Sequence, residues 1–215
     1  MKFRNHTLAI YTMLLLGSAS FIGGCATTGM DRSVKTSSSI KEVDIEIRKM
    51  NVQIDVTAAS LEALLRSDKS ELKKPFNKYA DELEKLEHEG KKVSKRLDEM
   101  KTHSKEYFAE WEKQGDKFTN AEIRNLSDQR RSRLAEIYAQ VPAAGLGIKG
   151  AYNEYLTELK EIRKYLSNDL TPQGIEGITP IANKSVLNLN ALKESLKPVL
   201  LALDEINAEL YSGKK

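Results

Sequence analysis

The side chains whose chemistry might be put to use are few and far apart. His88 and His103 stand fifteen residues apart in one helical stretch, about 22 Å at about 1.5 Å per residue, so they cannot share a metal within one chain. Carboxylate pairs such as Glu84 with Glu87, or Asp98 with Glu99, are flanked by lysines, a setting for helix-surface pairing rather than acid–base catalysis. Gly145-Leu146-Gly147-Ile148-Lys149-Gly150 spells G-x-G-x-x-G. A dinucleotide site needs a strand before that motif, and Tyr138 to Pro142 reads as helix, so a hinge or close helix packing is expected instead. Arg124, Arg130, Arg131 and Arg133 concentrate positive charge. They suit a solvated face paired with Asp128 and Glu136, with Arg130 reaching an acid across the fold, or a contact to anionic headgroups or cell-wall polymer. No nucleophile, base and orienting group fall into a set. The expectation is therefore no catalytic, metal or cofactor residue and no enzyme activity.

Cys25 is the single cysteine, so it has no partner for an intramolecular disulfide. Lys2 and Arg4 make a charged start, Leu8 to Leu16 an apolar run too short for a span of about 20 residues, and small residues lead to Cys25. Ile22-Gly23-Gly24-Cys25 resembles a lipobox, in which the thiolate takes up a lipid and the small residues admit a peptidase. The resemblance implies a bacterial lipoprotein with a signal peptide over 1–24, carried to the membrane by acyl chains on Cys25. Ala26 after the cysteine implies delivery to the outer membrane, facing the periplasm. The terminal Lys215 resembles the lysine through which a helical lipoprotein is joined to peptidoglycan.

Lys and Arg number 34 against 31 Asp and Glu, a mixed balance of +3 that offers no clustered footprint for nucleic acid. Charged residues make up 30% of the chain and aromatics 7%, which suits long helices with solvated outer faces. Ala26 to Ser39, rich in Ser and Thr, reads with Cys25 as a flexible tether over 25–39. The folded unit is expected over 40–215.

Its first helix is expected to begin near Ile40, with Val43, Ile47, Met50 and Ile54 as one stripe and Ile45, Val52 and Val56 widening it. From Leu72 to Phe118 an unbroken alternation of four and three marks a helix with a coiled-coil-like seam, through Tyr79, Leu83, Leu86, Gly90, Val93, Met100, Ser104, Trp111 and Gln114. Trp111, at a seam position, is expected to pack in the core. Thr119-Asn120-Ala121-Glu122 predicts a capping box led by Thr119. The third stripe runs from Ile123 and Leu126 to Leu166 through Pro142, as one kinked helix or two joined ones. Thr171-Pro172 opens the last helix. Short connections force neighbours antiparallel, so the expected fold is all-α, an elongated up-and-down bundle with coiled-coil-like long helices.

Tyr79, Val93, Arg96, Phe108, Glu110-Trp111-Glu112, Asn120, Arg124, Ser127 and Tyr138 resemble the pattern of the bacterial family known as domain of unknown function 2959, over roughly residues 72 to 170. The resemblance implies an exported helical protein and supplies no activity and no functional residues. The expected role is a non-enzymatic scaffold, spacer or adaptor in the cell envelope, held to the membrane at Cys25 and meeting an envelope protein or peptidoglycan. A self-associating coiled-coil oligomer is the alternative.

Overall fold

The computed structural model describes residues 29–211. Cys25, the signal segment, the first residues of the expected tether and Lys215 lie outside them. Four helices account for the architecture: α1 (Gly29–Leu65), α2 (Lys73–Gly115), α3 (Ala121–Asn168) and α4 (Pro172–Tyr211). Each is joined to the next by a short turn, which forces antiparallel neighbours. At about 1.5 Å per residue α2 is about 65 Å long and α3 about 72 Å, so the bundle is a rod. α1 packs most extensively on α2 and α3 on α4; the α2–α3 and α1–α4 faces meet more sparsely.

The core is one continuous apolar column. Ile47, Ile54 and Leu61 of α1 meet Tyr79, Leu83 and Leu86 of α2, with Leu159 and Ile162 of α3 and Leu192, Leu196 and Leu203 of α4. The seam of α2 is buried from Leu72 to Ser104 and fades afterwards, with Gln114 in solvent, bonded to Glu110, and Phe118 beyond the helix end. Ile123 and Leu126 were expected in the core but are exposed, Leu126 at 69%. Among the described residues, α1 begins at Gly29, with Ser33 beside Tyr107, and α4 ends at Tyr211, with Glu209 on Arg130, so neither covers this tip.

Several local expectations need correction. α1 starts at Gly29, eleven residues before Ile40, so most of the expected tether is helix. Its hydroxyls explain how so polar a segment can pack. Thr36 donates to the Arg32 carbonyl at 2.9 Å and Ser39 to the Thr36 carbonyl at 2.7 Å, and both side chains are buried without an unmet polar group. Ile45, Val52 and Val56 do not widen the core face. At about 100° per residue they fall with Val34 within about 40° of one another, about half a turn from Ile47 and Ile54, and all four are exposed. The cap of α3 is Asn120, not Thr119: its backbone is extended (φ −79°, ψ 118°) and its Oδ1 accepts from Glu122 N at 2.8 Å and Ile123 N at 3.2 Å.

The remaining turns follow their sequence signals. Gly115 ends α2, though Asp116 keeps right-handed helical angles and Phe118 N closes the turn on the Gly115 carbonyl at 3.1 Å. α3 is one continuous helix through Pro142, which resolves the choice between a single helix and a joined pair. Thr171 caps α4 by accepting from Gly174 N at 3.1 Å.

Ion pairs lace the outer faces and cross between helices, as at Arg96–Glu42 (3.0 Å), Lys160–Glu87 (2.7 Å) and Arg163–Glu84 (3.1 Å). Hydrogen bonds from Gln53 and Lys85 hold the Glu82 carboxyl below its ordinary range, those from Lys160 and Lys91 do the same for Glu87, and Arg96 does so for Glu99. A carboxyl whose folded pKa lies below its unfolded one contributes stability that is present above the unfolded value and lost as pH falls through the folded value. The melting temperature should therefore be level above about pH 5 and fall progressively below about pH 4. Thermal melts followed by circular dichroism test this, and an unchanged midpoint at about pH 3 would show that these pairs contribute nothing.

Candidate functional site

An apolar concavity lies between α2 and α3, and its origin is local. Two tyrosines bind these helices in register. Tyr79 of α2 donates to the Leu159 carbonyl of α3 at 2.7 Å, and Tyr152 of α3 donates to the Leu86 carbonyl of α2 at 2.7 Å. Burial pushes both phenol pKa values well up, with Tyr155 adding to Tyr79 and Glu87 and Glu89 adding to Tyr152, so both remain protonated donors. The Tyr152 ring lies across Gly90, where an added Cβ would overlap it.

Past that crossing, α3 carries Pro142 and a buried Gly145, whose position for a Cβ is 3.4 Å from a Leu97 methyl. A proline inside a helix gives up one backbone donor, and glycine leaves the facing surface without a side chain. A cavity of about 520 Å³ opens here. Its floor is apolar, formed by Met50, Val93, Leu97, Ile148 and Leu156. Its rim carries Glu87, Lys91, Asp98, Lys101 and Lys149. Glu87 is engaged by Lys91 at 2.9 Å and by Lys160 at 2.7 Å. Lys101 and Lys149 have no carboxylate partner among the described residues.

The residues singled out in the sequence are not assembled into a reactive centre. His88 is exposed, His103 is half-buried with Nδ1 unbonded, and no group of three or more metal-ligating side chains occurs among the described residues. The G-x-G-x-x-G stretch is helical and follows helix, not strand. The arginines are engaged within the fold. Arg124 donates to the Phe118 carbonyl, Arg131 pairs with Glu112 at 2.9 Å and Asp128 at 3.3 Å, and Arg130 and Arg133 both reach Glu209 of α4. Arg130 thus takes the cross-bundle role its place in the stripe implied.

Trp111 is half-buried against the core, edge-on to Tyr107, and donates to the Ser127 hydroxyl at 2.9 Å. It fastens the α2–α3 tip. The cavity itself left no motif in the sequence. Its local signs were Pro142 and Gly145 in an otherwise regular stripe, with Gly145 opposite Leu97, and Gly90 in the seam of the preceding helix.

Comparison with known proteins adds one finding. A family model described as "Protein of unknown function (DUF2959)" matches residues 32–206, further in both directions than the stretch whose residues suggested it. No curated protein and no solved structure matches.

Proposed function

The chain belongs to the DUF2959 family, and from that premise we infer that it serves as a lipid-anchored, non-enzymatic scaffold or spacer in the bacterial cell envelope. The observation that carries this reading is the rod: helices of about 65 to 72 Å with ion-paired flanks, preceded by a sequence suited to acylation at Cys25. A diacylated Cys25 holds one end at the periplasmic face of the outer membrane, and the rod carries its surfaces away from the bilayer. Fractionation of cells expressing the full chain and its Cys25→Ser variant tests the anchor. The parent should appear in the outer-membrane fraction with acyl chains on Cys25, and the variant should leave it. An unmodified Cys25 by mass spectrometry of the mature N-terminus would overturn the reading.

A second reading, self-association, is favoured by the outer stripe of α1. Val34, Ile45, Val52 and Val56 lie along one line on the side away from the core, Val52 at 62% exposure. β-branched residues at such spacing suit a helix–helix seam. One flank runs Lys41, Arg48, Asp55, Glu62, basic then acidic, so a second copy of the chain lying antiparallel would set unlike charges together. Sedimentation of residues 26–215 separates the two. An extended monomer supports the single-rod scaffold, whereas a dimer that Val52→Lys dissociates supports the paired one.

A further inference from the structure

The α2–α3 cavity has the dimensions and lining of a site for a long, thin, singly charged amphiphile. From Glu87 to Lys101 it follows fourteen residues of α2, about 21 Å of helix, and a volume of about 520 Å³ over that length gives a mean cross-section of about 25 Å². That is room for an extended alkyl chain. The volume falls within the roughly 300–1,000 Å³ of small-molecule pockets, which are likewise mostly apolar with a few placed polar groups. Tyr152, crossing Gly90 and bonded to Leu86, forms part of the cavity wall about one turn in from the Glu87 end. The other end reaches Pro142, Ala143 and Lys101.

Charge on the rim selects the head group. The residues lining the groove carry Lys91, Lys101 and Lys149 against Glu87 and Asp98, a surplus of one positive charge, and Lys101 and Lys149 are the lysines left without a carboxylate partner. A monoanion satisfies that surplus, while Asp98 opposes a doubly charged phosphate. We propose that this groove binds a long-chain carboxylate, with its alkyl chain along Val93, Leu97, Ile148 and Leu156 and its head group at the Lys101 end. The site does not depend on acylation at Cys25, since it is built wholly from α2 and α3 with Met50 of α1.

The full chain, titrated with parinaric acid, a fluorescent long-chain fatty acid, should show saturable binding. Ser94→Trp places an indole at the exposed lip of the groove and should weaken binding at least tenfold with helix content unchanged. Lys101→Glu, at an exposed position that folding does not need, should weaken it about tenfold through charge alone. The neutral methyl ester should bind more weakly than the acid and equally well to the parent and to Lys101→Glu. Absence of saturable binding overturns the proposal, as does a folded Ser94→Trp chain that binds as tightly as the parent. Equal affinity for acid and ester, or an unaltered Lys101→Glu affinity, overturns the head-group assignment and the proposal with it.

Discussion

Truncation of Tyr79 to alanine is expected to lower the unfolding free energy by about 3–5 kcal/mol, the range for removing a large aromatic from a packed core. The side chain is fully buried between α1, α2 and α3, and its hydroxyl closes on the Leu159 carbonyl. Two losses are combined, and a second variant separates them. Tyr79→Phe keeps the ring and removes only the hydroxyl, so it should cost about 1 kcal/mol, the net worth of a typical buried hydrogen bond. Urea unfolding of both variants gives the partition. If Tyr79→Ala lies within about 1 kcal/mol of the parent, the α2–α3 contact is not the tight one described.

The second large effect has an unusual sign. Gly90→Ala should destabilise by about 1–3 kcal/mol, although alanine is worth up to about 1 kcal/mol more than glycine inside a helix. The new Cβ falls within the Tyr152 ring, which must swing aside and release the Leu86 carbonyl. In a Tyr152→Ala background the obstacle is gone, and the same Gly90→Ala change should become stabilising by up to about 1 kcal/mol. This reversal, read from denaturant midpoints of the four chains in the cycle, isolates the contact from the helix propensity. A stabilising Gly90→Ala in the parent chain would reject it.

These two sites show where the sequence was legible and where it was not. Helical periodicity placed α2, α3 and α4 and the turns between them, because a stripe every three or four residues is a local property that burial merely reads out. Gly90 stood in the seam without a side chain, and the structure fills that place with Tyr152. Which residue it would be depended on the register between α2 and α3, set by contacts 66 and 80 residues apart in the chain.

The start of α1 was missed for a different reason. Composition counts Thr36 and Ser39 as loop-forming, whereas in a packed helix their hydroxyls return to carbonyls of the preceding turn. Ile45, Val52 and Val56 were visible as apolar, but their phase places them opposite the core, and hydrophobicity alone does not tell an inner face from an outer one. At the turn into α3, Thr119 and Asn120 are both good caps, and only backbone geometry chooses between them. The groove lay furthest from view. It is a space between helices, and its only trace was residues that decline to fill it.

The paired tyrosines also bear on how the rod carries force. Each is anchored on one helix and bonded to the backbone of the other, in opposite directions, and the Lys160–Glu87 and Arg163–Glu84 bridges flank them. Sliding α2 along α3 either way by a helical turn would break all four attachments together. Splaying the two hairpins apart can break the same attachments one after another from an end, against the sparser α2–α3 and α1–α4 faces. The molecule is accordingly stiff in shear and compliant in opening, so a load along its length is passed between the hairpins, while a sideways load widens the gap between them.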